Sequence, residues 1–337
     1  MAVRARPRLR RWRRLGLTLL ALLAILLALL ALLALAPPNL GALRSQADPV
    51  ADYAAAVARV SALQAEEAVL INPECATRLL THGQRTARVI TFVHGYTNCP
   101  QQFADLGQQF YDLGYNVLIL RMPHHGLADR LTDDLTNFTA EEMAGVADLA
   151  VDLAVGLGDH VTFVGLSGGG TVAGWAAQQR PEVDQAVLIA PGFSLKAIPD
   201  PATQLFVNAV LRLPDSFSWW DPRNPNPPPG GPMDHAYPRF SLHGLAQQLR
   251  LGLAVRALAR RAAPAAGRIL LITNAADIAV NNTVAAQVLA DWQAHGATVG
   301  SYEFPAELRL GHDLIDPGQG DQQVAVVYPQ LVALINQ

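Results

Sequence analysis

A serine lies between glycines at a point where the chain changes from a strand pattern to a helix pattern. Residues 165–169 read Gly-Leu-Ser-Gly-Gly and stand directly between a short apolar run and a helical one. A sharp strand-to-helix turn exposes the serine hydroxyl, and glycines at Gly165 and Gly169 remove side chains that would clash with neighbouring backbone. The segment therefore predicts that Ser167 is a nucleophile. The alternative is a glycine-rich turn that carries a solvated serine.

A serine hydroxyl needs a base to remove its proton, and the base needs an acid to orient it. Asp277 and His312 each come just after a strand pattern, where open α/β sheets place their functional residues. The order serine, acid, histidine along the chain is one in which such triads occur. Asp291 lies within a predicted helix and His295 at a helix end, so both are weaker candidates. Asp313 is expected to make a local turn or hydrogen bond, while a turn-forming Asp277 and a packed His312 are the alternatives.

A second turn, His94-Gly95-Tyr96, follows the first strong strand pattern. The backbone N–H groups of Tyr96 and Gly168 are predicted to bind the negative oxygen that develops on a substrate. The helix that starts behind the serine adds the partial positive charge of its N-terminus. The alternative for the His-Gly pair is a simple turn.

Strand and helix patterns alternate along most of the chain. Strands are predicted at 88–93, 116–120, 160–165, 185–190, 268–273 and 298–304, and helices at 50–69, 101–113, 139–157, 170–179 and 281–295. The helix at 139–157 starts with the capping-box signature Thr139-Ala140-Glu141-Glu142. The alternation predicts an α/β fold with a mostly parallel sheet and helices on both faces.

One stretch interrupts this alternation. No strand-like run occurs between residues 191 and 264, and six prolines at 221–232 exclude regular structure there. We predict an insertion at about 193–265, partly helical at 203–213 and 242–260, that forms a lid over the end of the sheet. A plain surface insertion is the alternative.

The charge of the chain is unevenly distributed. The 337 residues have a formal net charge of −3, but seven arginines precede residue 37, and without them 18 basic residues face 28 acidic ones. The remaining chain is therefore acidic, near −10. An acidic body argues against nucleic-acid binding, which needs a basic face.

The N-terminal residues have the pattern of a membrane signal. Residues 15–36 form an uncharged run of 22 residues, nearly all Leu and Ala, which as a helix spans about 33 Å, close to the hydrocarbon thickness of a bilayer. Because the arginines lie on one side only, residues 1–14 are predicted to stay in the cytoplasm and the run to be a single-pass anchor in the cell membrane. Residues 37–49 are predicted to be a linker and residues 50–337 an extracytoplasmic domain. The alternative is a signal peptide cleaved after Ala34-Leu35-Ala36, which would release a secreted protein.

An extracytoplasmic domain permits a disulfide bond between its two cysteines. A bond between Cys75 and Cys99 would close a loop of about 25 residues, and the alternative is two separate thiols that pack as small hydrophobic groups. No histidine spacing accompanies them, so no zinc site is predicted.

These segments together resemble the α/β-hydrolase superfamily, and within it the group of monoacylglycerol lipases, carboxylesterases and serine aminopeptidase-like proteins. The resemblance covers roughly residues 70–335. The matching segments are His94-Gly95-Tyr96-Thr97, Arg121-Met122-Pro123-His124-His125-Gly126, the residues around Ser167, Asp277, and Gly311-His312-Asp313. The loop at 121–126 is similar to one that shapes the pocket in relatives, and His125 is expected to be structural.

The resemblance implies an α/β-hydrolase fold with Ser167 as nucleophile, Asp277 as acid, His312 as base, and Tyr96 and Gly168 as oxyanion donors. It implies a serine hydrolase that cleaves a small-molecule carboxylic ester, class EC 3.1.1, through an acyl-enzyme, with no cofactor and no metal. Two further hypotheses are a peptidase or amidase that uses the same triad and a non-catalytic member that uses the pocket for binding. Neither the acyl-chain length nor the oligomeric state follows from the residues.

Overall fold

The computed structural model describes residues 7–36, 39–67, 69–223 and 233–337. Most of the proline-rich stretch and the first residues of the predicted cytoplasmic segment lie outside these ranges. The strands are β1 (Arg78–Leu80), β2 (Thr86–Val93), β3 (Asn116–Leu120), β4 (Gly158–Leu166), β5 (Gln185–Ile189), β6 (Phe217–Trp219), β7 (Arg239–Ser241), β8 (Arg268–Asn274) and β9 (Val299–Phe304). The α-helices are α1 (Pro7–Leu35), α2 (Tyr53–Glu67), α3 (Ala104–Asp112), α4 (Ala140–Leu157), α5 (Gly168–Gln179), α6 (Thr203–Val210), α7 (Leu242–Ala259), α8 (Asn282–Ala294) and α9 (Val324–Ile335).

Seven strands form one sheet in the order β1-β3-β2-β4-β5-β8-β9. The pair β1 and β3 is antiparallel and the other neighbouring pairs in this sheet are parallel. The carboxyl ends of the central strands therefore meet at one edge, where Val93 of β2 lies opposite both Leu120 of β3 and Gly165 of β4. The predicted mostly parallel sheet is confirmed. The additional elements β1 and α9 have no counterpart among the predicted ones.

Helices cover both faces of the sheet. On one face, Phe92 of β2 packs with Phe110 of α3 in a cluster that also includes residues of α9. On the other face, Phe163 of β4 packs in a cluster with Trp175 of α5 and Leu251 of α7. Because both faces are buried, the strands are continuously apolar rather than alternating, which is why they could be predicted from short apolar runs.

The N-terminus of α4 is fixed by the predicted capping box. The Thr139 hydroxyl accepts a hydrogen bond from the Glu142 backbone nitrogen at 3.2 Å, and the Glu142 carboxylate accepts one from the Thr139 nitrogen at 2.8 Å. Two N–H groups that the helix leaves without an internal partner are satisfied in this way.

The insertion between β5 and β8 differs from its prediction in two ways. It contains β6 and β7, which pair with each other in antiparallel fashion over three residues each. Strands this short carry no readable periodicity, so the expectation of no strand here was wrong. Its second helix, α7, contributes Leu251, Val255 and Ala259 to the main core, all of them fully buried. Helix α7 therefore belongs to the helical layer that covers this face of the sheet.

Helix α1 is exposed along its described side chains. Its segment Trp12–Leu32 has a mean hydropathy of 2.9, and within the described residues it is the helix long and apolar enough to cross a membrane by length and composition. The C-terminal end of helix α1 contacts helix α6 of the insertion. The carbonyl of Ala36, the residue after α1, accepts hydrogen bonds from Gln204 at 3.2 Å and from Asn208 at 2.7 Å, both on α6.

The described part of the predicted linker lies along the body of the protein. Helix α4 binds it through two buried carboxylates, since Asp148 accepts from the Gln46 nitrogen at 2.6 Å and Asp152 from the Asp48 nitrogen at 2.9 Å. Arg180 neutralises both carboxylates from the other side, at 3.2 and 2.7 Å, and is 1% exposed. The segment after α1 is thus hydrogen-bonded to the folded domain.

Cys75 and Cys99 are joined by a disulfide bond, and both are fully buried. The bond connects the segment before β1 to the turn after β2, two parts of the chain 24 residues apart. It therefore closes a loop that includes the His94-Gly95-Tyr96 turn.

Replacing both cysteines with alanine is expected to lower the free energy of unfolding by about 3 kcal/mol, because the unfolded chain gains the freedom that the closed loop removes. Urea unfolding followed by circular dichroism measures this loss. Wild-type protein treated with a reductant is the matched control and should lose a similar amount. Equal unfolding midpoints for the oxidised, reduced and double-alanine forms would contradict the expectation.

Candidate active site

Ser167 lies on a sharp turn between β4 and α5. Its backbone has φ +56° and ψ −110°, a conformation that side chains rarely adopt and that surrounding structure must hold in place. Two hydrogen bonds do so here: the Ser167 nitrogen donates to the Ile189 carbonyl, and the Ser167 carbonyl accepts from the Gly192 nitrogen, both at 2.9 Å.

The glycines on either side make this turn possible. A Cβ atom at Gly165 would overlap the carbonyl of Gly169, and one at Gly169 would overlap the carbonyl of Val93. Both obstacles are backbone atoms, which cannot move aside as a flexible side chain could. The close packing of the turn against β2 thus requires glycine at both positions.

Three side chains predicted from separate segments meet at this turn. His312 Nε2 lies 2.9 Å from Ser167 Oγ, and His312 Nδ1 lies 2.7 Å from Asp277 Oδ2. The carboxylate can only accept, so Nδ1 carries the proton and donates to it. Nε2 is then left to accept the hydrogen bond from the serine hydroxyl. The geometry is that of a nucleophile, a base and an orienting acid.

The carboxylate of Asp277 is fully buried and fully bonded. Its second oxygen, Oδ1, accepts from the backbone nitrogens of Ala279 at 2.7 Å and Val280 at 3.2 Å. Burial alone raises the pKa of Asp277, but the hydrogen bond from His312 and those from the two backbone amides outweigh it, so its pKa lies below its ordinary value. The group is therefore held as a carboxylate that orients the imidazole.

The two loops that carry Asp277 and His312 are connected by Asn274, the last residue of β8. Its side-chain nitrogen donates to the carbonyls of Leu310 at 2.9 Å and Gly311 at 3.0 Å. Because β8 and β9 are parallel neighbours, both loops leave the same edge of the sheet at which Ser167 lies.

The structure does not bring the rival residues to the site. Asp291 lies on α8 and accepts from Gln287, one turn away on the same helix. His295 is the residue that ends α8. His125 is buried against the rings of Phe138 and Tyr96, and its Nδ1 lies 2.7 Å from the Pro123 carbonyl. Its surroundings are those of a packed histidine.

The backbone nitrogens of Tyr96 and Gly168 border one small space beside Ser167. A Cβ atom at Gly168 would stand 3.1 Å from the Tyr96 nitrogen. Within the described residues, neither N–H group has an acceptor. Two adjacent unpartnered donors next to a candidate nucleophile can bind an oxyanion. The side chain of Tyr96 points away, and its hydroxyl donates to the Ser241 carbonyl at 2.8 Å.

His94 holds the Tyr96 turn in place. Its Nε2 accepts from the Met122 nitrogen at 3.1 Å, while its Nδ1 lies 2.9 Å from the Gly95 carbonyl. Burial lowers the pKa of His94 to about 3. The imidazole is therefore neutral and acts as a fixed connection between the ends of β2 and β3.

A buried polar network that the sequence did not reveal connects the base to this turn. Asp313 Oδ2 accepts from Gln102 Nε2 at 2.7 Å and from Asn98 Nδ2 at 3.0 Å, and Gln102 Oε1 accepts from the Gly95 nitrogen at 2.7 Å. Burial, together with the neighbouring carboxylate of Asp316, raises the pKa of Asp313. As expected, Asp313 has a local partner, because its Oδ2 also accepts from Gln319 Nε2 at 3.4 Å. Asn98 and Gln102 are more than 200 residues away, so no sequence signal could identify them.

Metal ligands do not cluster in the part of the chain that the structure describes. No group of three or more His, Cys, Asp or Glu side chains is arranged there to hold a metal ion. The histidines and carboxylates of the candidate site bond to each other and to backbone groups instead.

Comparison with known proteins agrees with the fold. A family model described as the alpha/beta hydrolase fold matches residues 88–233. A metagenome-derived lipolytic enzyme superposes with a TM-score of 0.56 at 20% identity, over 79% of this chain and 99% of its own. The monoacylglycerol lipase of Paleococcus ferrophilus gives 0.54 at 16% identity, over 76% and 98%. A soluble variant of the Saccharomyces cerevisiae monoglyceride lipase gives 0.53 at 11% identity, over 77% and 90%.

No curated protein matches the chain in sequence. The family match and the superpositions, taken with the sheet order, show that the chain has the α/β-hydrolase fold. The predicted fold class is confirmed.

Proposed function

We propose that this protein is a serine hydrolase that cleaves carboxylic esters, anchored in the cell membrane with its catalytic domain outside the cytoplasm. The observation that carries the proposal is the hydrogen-bonded series Ser167, His312 and Asp277 beside two backbone N–H groups that have no acceptor among the described residues. A surface serine needs none of these partners, whereas a nucleophile needs all of them.

The reaction has two halves. In the first, His312 Nε2 takes the Ser167 proton as Oγ attacks the ester carbonyl carbon, and the carbonyl oxygen becomes an oxyanion that Tyr96 and Gly168 N–H groups bind. Collapse expels the alcohol, which takes the proton from His312 and leaves an acyl group on Ser167. In the second half, a water gives its proton to His312 and attacks the acyl carbon. Release of the carboxylic acid returns the proton to Ser167. Each oxyanion donor contributes about 10²–10³ to the rate.

The superposed structures favour esters as the substrate class. They are a lipolytic enzyme, a monoacylglycerol lipase and a monoglyceride lipase, and each superposes over most of its own length. Binding of a peptide amine would need a free carboxylate near the site, and one carboxylate of the insertion is already engaged. Asp215 is already bonded to Ser241 at 2.6 Å and to Thr136 at 2.7 Å.

The N-terminal helix supports attachment to a membrane. Segment Trp12–Leu32 has the length and composition to span a bilayer, and arginines on one side favour a cytoplasmic N-terminus. With α1 in the membrane, α6 lies at the outer surface, because Ala36 is hydrogen-bonded to α6. Exposed Leu205 and Leu213 lie on or next to this helix. Cleavage after α1 would instead give a secreted enzyme.

The test measures hydrolysis by the full chain in detergent. It compares the rates for three esters, p-nitrophenyl acetate, butyrate and laurate, with the rates for aminoacyl p-nitroanilides. We expect ester hydrolysis and covalent labelling of Ser167 by a fluorophosphonate, located by mass spectrometry. Faster cleavage of the anilides would identify a peptidase, and inertness toward esters, anilides and the fluorophosphonate would identify a binding protein. Either result would contradict the proposal.

Location is tested separately. A membrane-impermeant fluorophosphonate added to sealed, right-side-out membrane vesicles should label the protein as fully as it does after detergent lysis. Labelling only after lysis would place the catalytic domain on the cytoplasmic side.

A further inference from the structure

Helix α7 carries a buried glutamine whose amide oxygen has no partner. Gln248 is 2% exposed, and its Oε1 accepts no hydrogen bond from the residues that the structure describes. Most buried side-chain polar atoms in folded proteins are hydrogen-bonded, since an unpaired one has lost its water without replacement. An apolar side chain of similar length would avoid this cost, so the amide requires an explanation.

The amide of Gln248 lies at the turn that carries Ser167. A Cβ atom at Gly168 would stand 2.9 Å from Gln248 Oε1 and 3.1 Å from the Tyr96 nitrogen, and one at Gly192 would overlap Gln248 Nε2. Two glycines therefore leave the space that this amide occupies. Its oxygen lies next to the two backbone donors proposed to bind the oxyanion.

The position of Gln248 is fixed by the packing of α7. The helix starts at a cap, in which Ser241 Oγ accepts from the Gly244 nitrogen at 3.0 Å, and Gly252 allows it to approach the backbone of Phe193 closely. The carbonyl of the same Ser241 accepts from the Tyr96 hydroxyl. Helix α7 and the Tyr96 turn are thus connected, and the amide cannot leave the site by a shift of the helix.

The two ends of the amide suit two states of the site. Without substrate, Oε1 lies close to the backbone nitrogens of Tyr96 and Gly168 but is hydrogen-bonded to neither of them. A substrate oxyanion needs donors there, and rotation about the last side-chain bond exchanges Oε1 for Nε2. That bond joins sp³ and sp² carbons and has a broad, twofold rotational preference, so the exchange is easy.

We propose that Gln248 is a catalytic residue of the esterase reaction: its Nε2 donates a third hydrogen bond to the oxyanion, in addition to those from the two backbone donors. This role rests on the proposed ester hydrolysis. It also explains why an amide is buried at a position where an apolar side chain of the same volume would fill the space.

The test compares Gln248→Met with wild type in the full chain in detergent. Methionine has nearly the length of glutamine and offers no N–H donor. We expect kcat for p-nitrophenyl butyrate to fall by about 10²–10³, with KM changed less than threefold, as for removal of one oxyanion donor. We expect the urea midpoint to be unchanged or higher, because an unpaired buried amide is removed. A trifluoromethyl ketone inhibitor, which forms an oxyanion on Ser167, should lose affinity by a similar factor.

Gln247→Met is the matched control. Gln247 is the next residue on α7, and its Oε1 accepts from Arg250 at 3.1 Å, away from Ser167. It should keep wild-type kcat. Gln248→Glu is the second variant, since it keeps the shape and an acceptor but loses the donors, and its kcat should fall at least as far.

The outcomes are distinguishable. Wild-type kcat in either Gln248 variant would overturn the role of Gln248, and a higher kcat in Gln248→Met would overturn it in favour of an amide that blocks the site. An inert wild type, which hydrolyses no ester and takes no fluorophosphonate, would overturn the proposed function instead.

Discussion

Changing Ser167 to alanine is expected to lower kcat for ester hydrolysis on the order of 10⁶-fold. The reason is that the chemistry begins with a covalent bond to Ser167 Oγ, and without that atom His312 has no proton to remove. The backbone donors of Tyr96 and Gly168 would still bind a carbonyl oxygen, so some catalysis above the uncatalysed reaction should remain. Hydrolysis of p-nitrophenyl butyrate at saturating concentration measures the change.

The stability of the Ser167→Ala protein should hardly change. The hydroxyl bonds only to His312, and the backbone bonds that hold the turn, to Ile189 and Gly192, do not involve the side chain. Ser194→Ala is a matched control, because Ser194 is a buried serine whose hydroxyl lies 3.2 Å from that of Thr203, outside the triad. It should keep near-wild-type kcat. More than 1% of wild-type activity in Ser167→Ala would show that another group is the nucleophile.

Asp277→Asn is expected to lower kcat by about 10⁴-fold while leaving the fold intact. The surroundings of the carboxylate determine how an amide would sit there. The oxygen that faces the Ala279 and Val280 nitrogens must remain an oxygen, because an NH₂ group in that place would face two donors. The NH₂ group therefore points at His312 Nδ1 and forces that nitrogen to accept. The ring proton then moves to Nε2, which can no longer accept the proton of Ser167.

The rival carboxylates provide the controls for this prediction. Asp291→Asn should retain wild-type kcat, because Asp291 lies on α8 and bonds to Gln287. Asp313→Asn should affect kcat far less than Asp277→Asn, since Asp313 bonds to Asn98 and Gln102 rather than to His312. A loss below tenfold in Asp277→Asn would remove Asp277 from the proposed triad, and a larger loss in Asp313→Asn would replace it with Asp313.

Features that depend on neighbouring residues were predictable. The turn at Ser167 follows from glycines two residues away on each side, because the clash they avoid is with backbone in the same turn and the adjacent strand. The start of α4 follows from Thr139 and Glu142, which bond to each other three residues apart. The central strands follow from apolar runs, since both faces of the sheet are covered. The membrane-spanning length of α1 follows from composition alone.

Features that depend on distant residues were not predictable with the same certainty. The choice of Asp277 over Asp291 depends on which carboxylate lies within hydrogen-bond distance of His312. The parallel pairing of β8 with β9 sets the distance between Asp277 and His312. Asn98 and Gln102, the distant partners of Asp313, could not be predicted for the same reason. The insertion shows the same limit, since its sequence predicted a helix at 242–260 but not that α7 packs into the main core.

Gln248 shows the difference between what the sequence determines and what the tertiary structure determines. In the sequence it is one of two adjacent glutamines on a helical segment, with nothing to separate it from Gln247. Only the packing of α7 against the Ser167 turn buries one amide beside two backbone donors and leaves the other bonded to Arg250. Local sequence is enough to specify a turn, a cap or an apolar segment, because the interacting atoms are a few residues apart. Which side chains surround the candidate nucleophile is decided by the register of the sheet and the packing of helices, because Ser167, Asp277 and His312 come from segments at least 35 residues apart.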